Sequence, residues 1–187
     1  MAAVLKGVIR NGRVEVDEHC TVDRLAAGLS LTGIVLGSED DIPVHVEYTV
    51  LTDAEGLTTE VHVTDLRGFR SRTATLTRDA GGSWTIDGGQ APSLEGCTDV
   101  DLGCSPSTNA LPIRRLALDV GQSRTVQVAW LRFPQITVAR TVQTYTRLDT
   151  TRYRYASGDF EADLTVDHEG FVVHYDEWRR TATAGPR

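Results

Sequence analysis

Residues 159–167 read DFEADLTVD. Phe160, Ala162, Leu164 and Val166 alternate with Glu161, Asp163, Thr165 and Asp167. A period of two places successive side chains on opposite faces of a β-strand, here apolar on one and polar on the other. The same rhythm continues on both sides. Downstream, FVVHYDEW (171–178) sets Phe171, Val173 and Tyr175 against Val172, His174, Asp176 and Trp178. Upstream, TTRYRYA brings Tyr153 and Tyr155 together. TVARTVQTYTRL places Val138 and Val142 opposite Ala139 and Tyr145, and SRTVQVAWLRF puts Val126, Val128 and Trp130 on one face. VHVEYTVL (44–51), LTTEVHVTDL, RSRTATLTR and SWTID repeat the pattern, broken at TDAEG, at Arg67-Gly68, at DAGG and at Gly88-Gly89. Abundant Thr and Val suit strands.

This spacing predicts about nine to eleven short strands with turns every 8–12 residues, the mark of an all-β sandwich or barrel. No stretch after residue 43 keeps a helical period for a dozen residues, so little helix is expected. Residues 1–43 read as a mixed leader, with a strand near Leu29, Leu31, Gly33 and Val35 and a loop at SEDDIP. Trp178 and the tail RRTATAGPR suggest order ending near residue 180, so 180–187 is expected as a frayed terminus. The 187 residues suit one domain, 1–187, large enough to bury roughly 70% of its unfolded surface.

Charge removes several functions. Nineteen Lys and Arg against 26 Asp and Glu leave a net charge of -7. Nucleic acid repels such a chain, and the basic clusters are only the pairs Arg114-Arg115 and Arg179-Arg180. Lys6 is the single lysine and precedes Gly7, so neither a Walker loop nor a Schiff-base lysine is expected. Neither G-x-G-x-x-G nor G-x-S-x-G occurs. No apolar run approaches about 18 residues, and the start shows no secretory pattern, so the expected location is the cytoplasm, without an integral membrane segment. Cys20, Cys97 and Cys104 form no C-x-x-C; Cys97 and Cys104 could meet across a hairpin, but buried thiols are the plainer reading.

One stretch departs from the alternation: WTIDGGQAPSLEGCTDVDLGCSPSTNALPIRRLAL, residues 84–118, with three of the six prolines and two of the three cysteines. In DVDLG, Asp99 and Asp101 stand two apart, so on an extended chain both carboxylates face one way and Val100 and Leu102 the other. SPSTN offers hydroxyls and an amide for turns, and LPIRRLAL reads as a resumed extended run with its two arginines on opposite faces.

This run resembles the signature of the glycolipid-binding domain family of bacterial proteins. LAAGLSLTGIVLG, VHVEYTVLTD, VAWLRFP, QTYTRL and TRYRYASGDFEADLTVDHEGFVVHY extend the likeness from about residue 25 to 178. Cys104-Ser105-Pro106 stands where the family commonly has one residue and Thr-Pro. The resemblance implies a mainly β fold: an antiparallel spiral β-roll or half-open barrel, similar to lipoprotein carriers that hold acyl chains on a concave face. The expected ligand is a lipid or glycolipid.

Candidate lining residues are Val126, Val128, Trp130, Tyr145, Phe160, Leu164, Phe171 and Val173, which equally suit a packed core. A 16-carbon chain gains roughly 12 kcal/mol on burial, against an association cost of about 4–15 kcal/mol. Grease alone is marginal, and a cavity above about 300 Å³ is required. Sugar recognition adds aromatic faces, carboxylates and Arg or Asn. Trp84, Asp99, Asp101, Asn109, Arg114 and Arg115, with Trp130 and Tyr145, are the candidate ligand-binding residues. A competing reading makes Asp99 and Asp101 structural, pinned by Arg114 or Arg115. A third makes them, with Cys97, a hydrolase site. No cofactor is implied and no metal set is evident: His168 and His174 lack the i,i+4 spacing of a zinc helix. Three functions stay open, a lipid-binding module, an enzyme and a protein-interaction scaffold.

Overall fold

The computed structural model describes residues 2–9, 14–39, 41–67 and 71–184. Fifteen strands in these residues form one continuous ribbon. The first meander comprises β1 (Ala2–Ile9), β2 (Val14–Leu25), β3 (Gly28–Glu39), β4 (Ile42–Thr52), β5 (Thr58–Asp65), β6 (Arg72–Arg78), β7 (Trp84–Ile86) and β8 (Gly89–Gln90). The second comprises β10 (Ser123–Arg132), β11 (Thr137–Arg147), β12 (Arg152–Ser157), β13 (Phe160–Val166), β14 (Val172–Tyr175) and β15 (Trp178–Ala184). β1 pairs antiparallel with β15 and joins them mid-ribbon. β9 (Asp99–Leu102) lies along β10 as the one parallel pair.

The ribbon curls back on itself. Just before β9, the Thr98 N–H donates to Gln127 O at 3.0 Å, while Thr98 O accepts from the Thr58 N–H at 3.0 Å. One residue thus ties the far edge of the second meander to β5 of the first. This is the expected half-open antiparallel roll.

Alternation sets the inward face. Val16, Cys20 and Val22 on β2, Leu31 and Val35 on β3, Val46 and Val50 on β4, and Val61 and Val63 on β5 are all buried. Each such side chain stabilises the fold by about 1.5–3 kcal/mol through removal from water. Gly33 pairs with Tyr48, and a Cβ at Gly33 would stand 2.3 Å from the Tyr48 ring, so the glycine makes room for the phenol.

Several expectations need correction. The first 43 residues are not a leader: β2 and β3 lie within the ribbon, and the inward carboxylate Glu18 interrupts an otherwise regular apolar alternation. The strands outnumber the predicted nine to eleven because β1, β2, β8, β9 and β15 lie outside the alternating stretches. LPIRRLAL is not extended; Ala110–Leu116 is the helix α1, closed by Ala117 in the left-handed conformation. Pro112 fits its first turn, where a missing N–H costs nothing. Order does not end near residue 180. Arg180 donates to Asp167 Oδ2 at 2.7 Å and to Phe171 O at 2.8 Å, which anchors β15 through Ala184. Residues 185–187, and Gly68 of the predicted turn, lie outside the described residues. Finally, a bulge between Thr165 and Val166 shifts the pairing, so that Val172 rather than Val173 is buried opposite Val166.

Candidate functional site

The stretch that broke the alternation fills the roll. Residues 104–113 are buried without interruption. A buried loop carries backbone and side-chain polar groups that must find partners inside the protein. The sequence CSPSTN supplies them. Ser105 and Ser107 hydroxyls donate to Glu18 of β2 at 2.5 and 2.9 Å, and the Tyr48 hydroxyl donates to the same carboxylate at 2.5 Å. Burial pushes the Glu18 carboxyl up, and the three hydroxyls oppose that shift. Thr108 Oγ1 accepts from the Leu102 N–H at 3.3 Å. Asn109 Nδ2 donates to Pro106 O at 3.0 Å, while its Oδ1 accepts from the Tyr145 hydroxyl of β11 at 2.8 Å. The segment is therefore bolted to both meanders.

Asp99 and Asp101 share a face, as their spacing predicts, but meet different surroundings. Asp99 is fully buried. Arg115 of α1 binds it through Nη2 and through Nε at 3.3 Å, and the Thr98 hydroxyl donates to it at 2.7 Å. This pair fixes α1 against β9. Asp101 instead opens into a pocket of about 250 Å³ between the buried segment and the second meander. The Gln143 amide donates to Asp101 Oδ2 at 2.5 Å. Burial raises the Asp101 carboxyl to about 6, the amide bond opposing the shift.

The wall facing Asp101 is aromatic. Trp130 of β10, Tyr155 of β12, Phe160 of β13, Tyr175 of β14 and Trp178 of β15 line the pocket. Tyr155, Phe160 and Tyr175 meet edge to face, with centroids 6.0–6.4 Å apart. Thr141, Gln143, Ser157, Ser105 and Asn109 add the remaining polar groups.

Of the predicted ligand residues, the structure gathers Asp101, Asn109 and Trp130 at this pocket. Tyr145 stands behind them, its hydroxyl 3.1 Å from Gln143 Oε1. Trp84, Asp99, Arg114 and Arg115 lie elsewhere. Trp84 is buried in the core, with Nε1 donating to Cys97 O at 3.0 Å. Arg114 holds the Glu169 carbonyl and lies over Phe171 at 4.7 Å. Of the remaining candidate lining residues, Val126, Val128, Leu164 and Phe171 are buried in the core. Cys97 and Cys104 are buried, unbridged thiols. Desolvation pushes Cys97 up to about 11, which keeps it protonated at neutral pH and ill suited to nucleophilic attack.

Sequence reasoning missed Gln143 and Glu18. Each stands at an inward position of its strand, Glu18 between Val16 and Cys20 and Gln143 beside Tyr145. A polar residue on the buried parity was the available signal.

Two other hollows, of about 340 and about 360 Å³, have walls of mixed polarity. The first, on the outer face of β2–β5, is walled by Thr21, Thr32, Thr49 and His62. The second, where the β2–β3 turn meets α1, is walled by Arg24, Asp53, Glu55, Arg114 and Arg115.

A family model described as "Putative glycolipid-binding" matches residues 10–180. The chain is similar to a solved structure of a DUF1089 family protein from Pseudomonas aeruginosa, with 29% identity and a TM-score of 0.79, covering 88% of this chain and 92% of that one. No curated protein matches it.

Proposed function

Because this chain belongs to the glycolipid-binding family, we propose that its pocket seats the polar head of an amphiphile. The observation that carries this reading is the aromatic wall of Trp130, Tyr155, Phe160, Tyr175 and Trp178 set against one carboxylate and the amides of Gln143 and Asn109. Rings that stack on an apolar sugar face, with carboxylate and amide groups for hydroxyls, are the groups such a head needs. The tail stays outside. The segment through residues 104–113 occupies the space that an acyl chain would need. The protein on this reading recognises a head and the first few carbons, rather than swallowing a chain.

A glycosidase reading has one feature in its favour, the raised Asp101 carboxyl, which suits a general acid. Hydrolysis with two carboxyl groups needs a second one at the pocket. Among the described residues, Asp101 is the single acid in the lining, and Asp99 is committed to Arg115.

A chain-length series tests the proposal. Alkyl glucosides from ethyl to dodecyl, kept below micelle formation, are titrated against the fluorescence of Trp130 and Trp178. Each buried methylene adds about 0.8 kcal/mol, so affinity should climb for the first few carbons and then level. Trp130→Ala should abolish the response. A climb continuing through twelve carbons, or a response indifferent to Trp130→Ala, would overturn the headgroup reading.

A further inference from the structure

Among the described residues, the pocket lining carries one formal charge. Asp101 is acidic, and every other lining residue is neutral. Arg132, whose guanidinium lies 5.3 Å over the Trp130 ring, is outside the lining. Among the described residues, the Asp101 carboxylate receives one hydrogen bond, from the Gln143 amide to Oδ2. The Tyr145 hydroxyl, its one proton shared between Asn109 Oδ1 at 2.8 Å and Gln143 Oε1 at 3.1 Å, faces the amide oxygen and leaves the NH2 for the carboxylate. Tyr145 is in turn pinned by Asn109. The second oxygen, Oδ1, is left for whatever enters. A partly buried carboxylate with no cationic partner costs desolvation energy that a bound cation would offset.

The rings point to the same ligand. Indole, phenol and phenyl faces carry negative quadrupole potential and attract cations, most strongly when water is excluded. Five aromatic side chains surround a site whose single charge is negative. The Asp101 carboxylate would repel an anionic head, and a neutral sugar could donate hydroxyls to it without balancing its charge.

We propose that the group seated in the pocket is an ammonium cation, quaternary or a protonated amine, paired with Asp101 and enclosed by Trp130, Tyr155, Phe160, Tyr175 and Trp178. The inference rests on the headgroup reading and names its chemical class. An amino-sugar head and a choline head share this chemistry.

The test compares cations with neutral isosteres on the whole chain. Choline is titrated against 3,3-dimethylbutan-1-ol, and glucosamine against glucose, by quenching of Trp130 and Trp178. At pH 7.5 at least one cation should bind ten-fold or more tightly than its counterpart, and the stronger pair identifies the source. Asp101→Asn should remove that advantage, so that the cation loses at least ten-fold more affinity than its neutral counterpart. In the wild type the advantage should also fall below about pH 6, as Asp101 gains its proton. The titratable groups facing Asp101 are the Tyr145, Tyr155 and Tyr175 phenols and the Cys104 thiol; burial pushes Tyr145, Tyr155 and Cys104 up, which keeps them uncharged in that range. Asp99, two residues along β9, is paired with Arg115. Equal binding of cation and isostere in both pairs overturns the inference, as does an Asp101→Asn protein that keeps the cation's advantage. If octyl glucoside binds while neither cation gains over its isostere, the ammonium assignment falls and the headgroup reading stands. If nothing binds, both fall.

Discussion

Replacing Asp101 by Asn should make the empty protein more stable at neutral pH. The folded protein holds the Asp101 carboxyl at about 6, against 3.8 for the ordinary group, because burial penalises the charge. Between these values the folded state keeps a proton that the unfolded chain has released. Stability therefore falls as pH rises from about 4 to about 6, and is flat above. Two pK units correspond to roughly 3 kcal/mol. Asparagine has the same shape, offers Oδ1 to the Gln143 amide, and carries no charge to desolvate. Asp101→Asn should match the wild type at pH 4 and exceed it by up to about 3 kcal/mol at pH 7.5. Urea unfolding of both proteins, from pH 4 to pH 8, measures the difference directly. A pH-independent difference, or an Asn variant weaker than wild type at pH 7.5, would refute the argument that this carboxylate is held at a cost. The result expected is a familiar exchange, in which a binding group is retained at the expense of stability.

Three further outcomes are expected. Arg115→Ala leaves the Asp99 carboxylate buried with only the Thr98 hydroxyl, so it should cost about 3–5 kcal/mol and lower Tm by roughly 10 °C for a chain of this size; a melt within 2 °C or so of wild type would mean that the pair does not secure α1. Glu18→Gln keeps an acceptor for Tyr48 and Ser105 and should cost only about 1 kcal/mol, whereas Glu18→Leu strands three buried hydroxyls at about 1–3 kcal/mol each; the pair of urea midpoints should separate clearly, and coincident midpoints would contradict the role of the carboxylate. Gly33→Ala drives a methyl into the Tyr48 ring, which its bond to Glu18 holds in place, and should destabilise by about 1–3 kcal/mol; an unchanged thermal transition would show that the ring can move aside.

Strand after strand was legible because a period of two survives without any knowledge of neighbours. DFEADLTVD is β13 almost residue for residue, and Val126, Val128 and Trp130 share a face as their spacing requires. Where inward positions are polar, the pattern goes silent. Glu18 on β2 and Gln143 on β11 occupy the buried parity because they answer hydroxyls and a carboxylate that arrive from other parts of the chain. Helix α1 was illegible for a related reason: a seven-residue helix shows no sustained period and is held by packing and by the Asp99–Arg115 pair. The frayed tail was misjudged because Arg180 looks like a solvated charge until Asp167 is placed beside it.

The candidate site divides in the same way. Asp99 and Asp101 face one direction as a matter of strand geometry, and that much belongs to the sequence. Their separation into a structural anchor and a pocket group does not. It depends on Arg115 reaching Asp99 from a helix sixteen residues on, and on Gln143 reaching Asp101 from forty-two residues away. Local order follows from steric alternation along the chain and is written in its residues. Burial, ion pairing and the width of a cavity arise between distant segments, and exist only once the ribbon has curled and residues 104–113 have filled it.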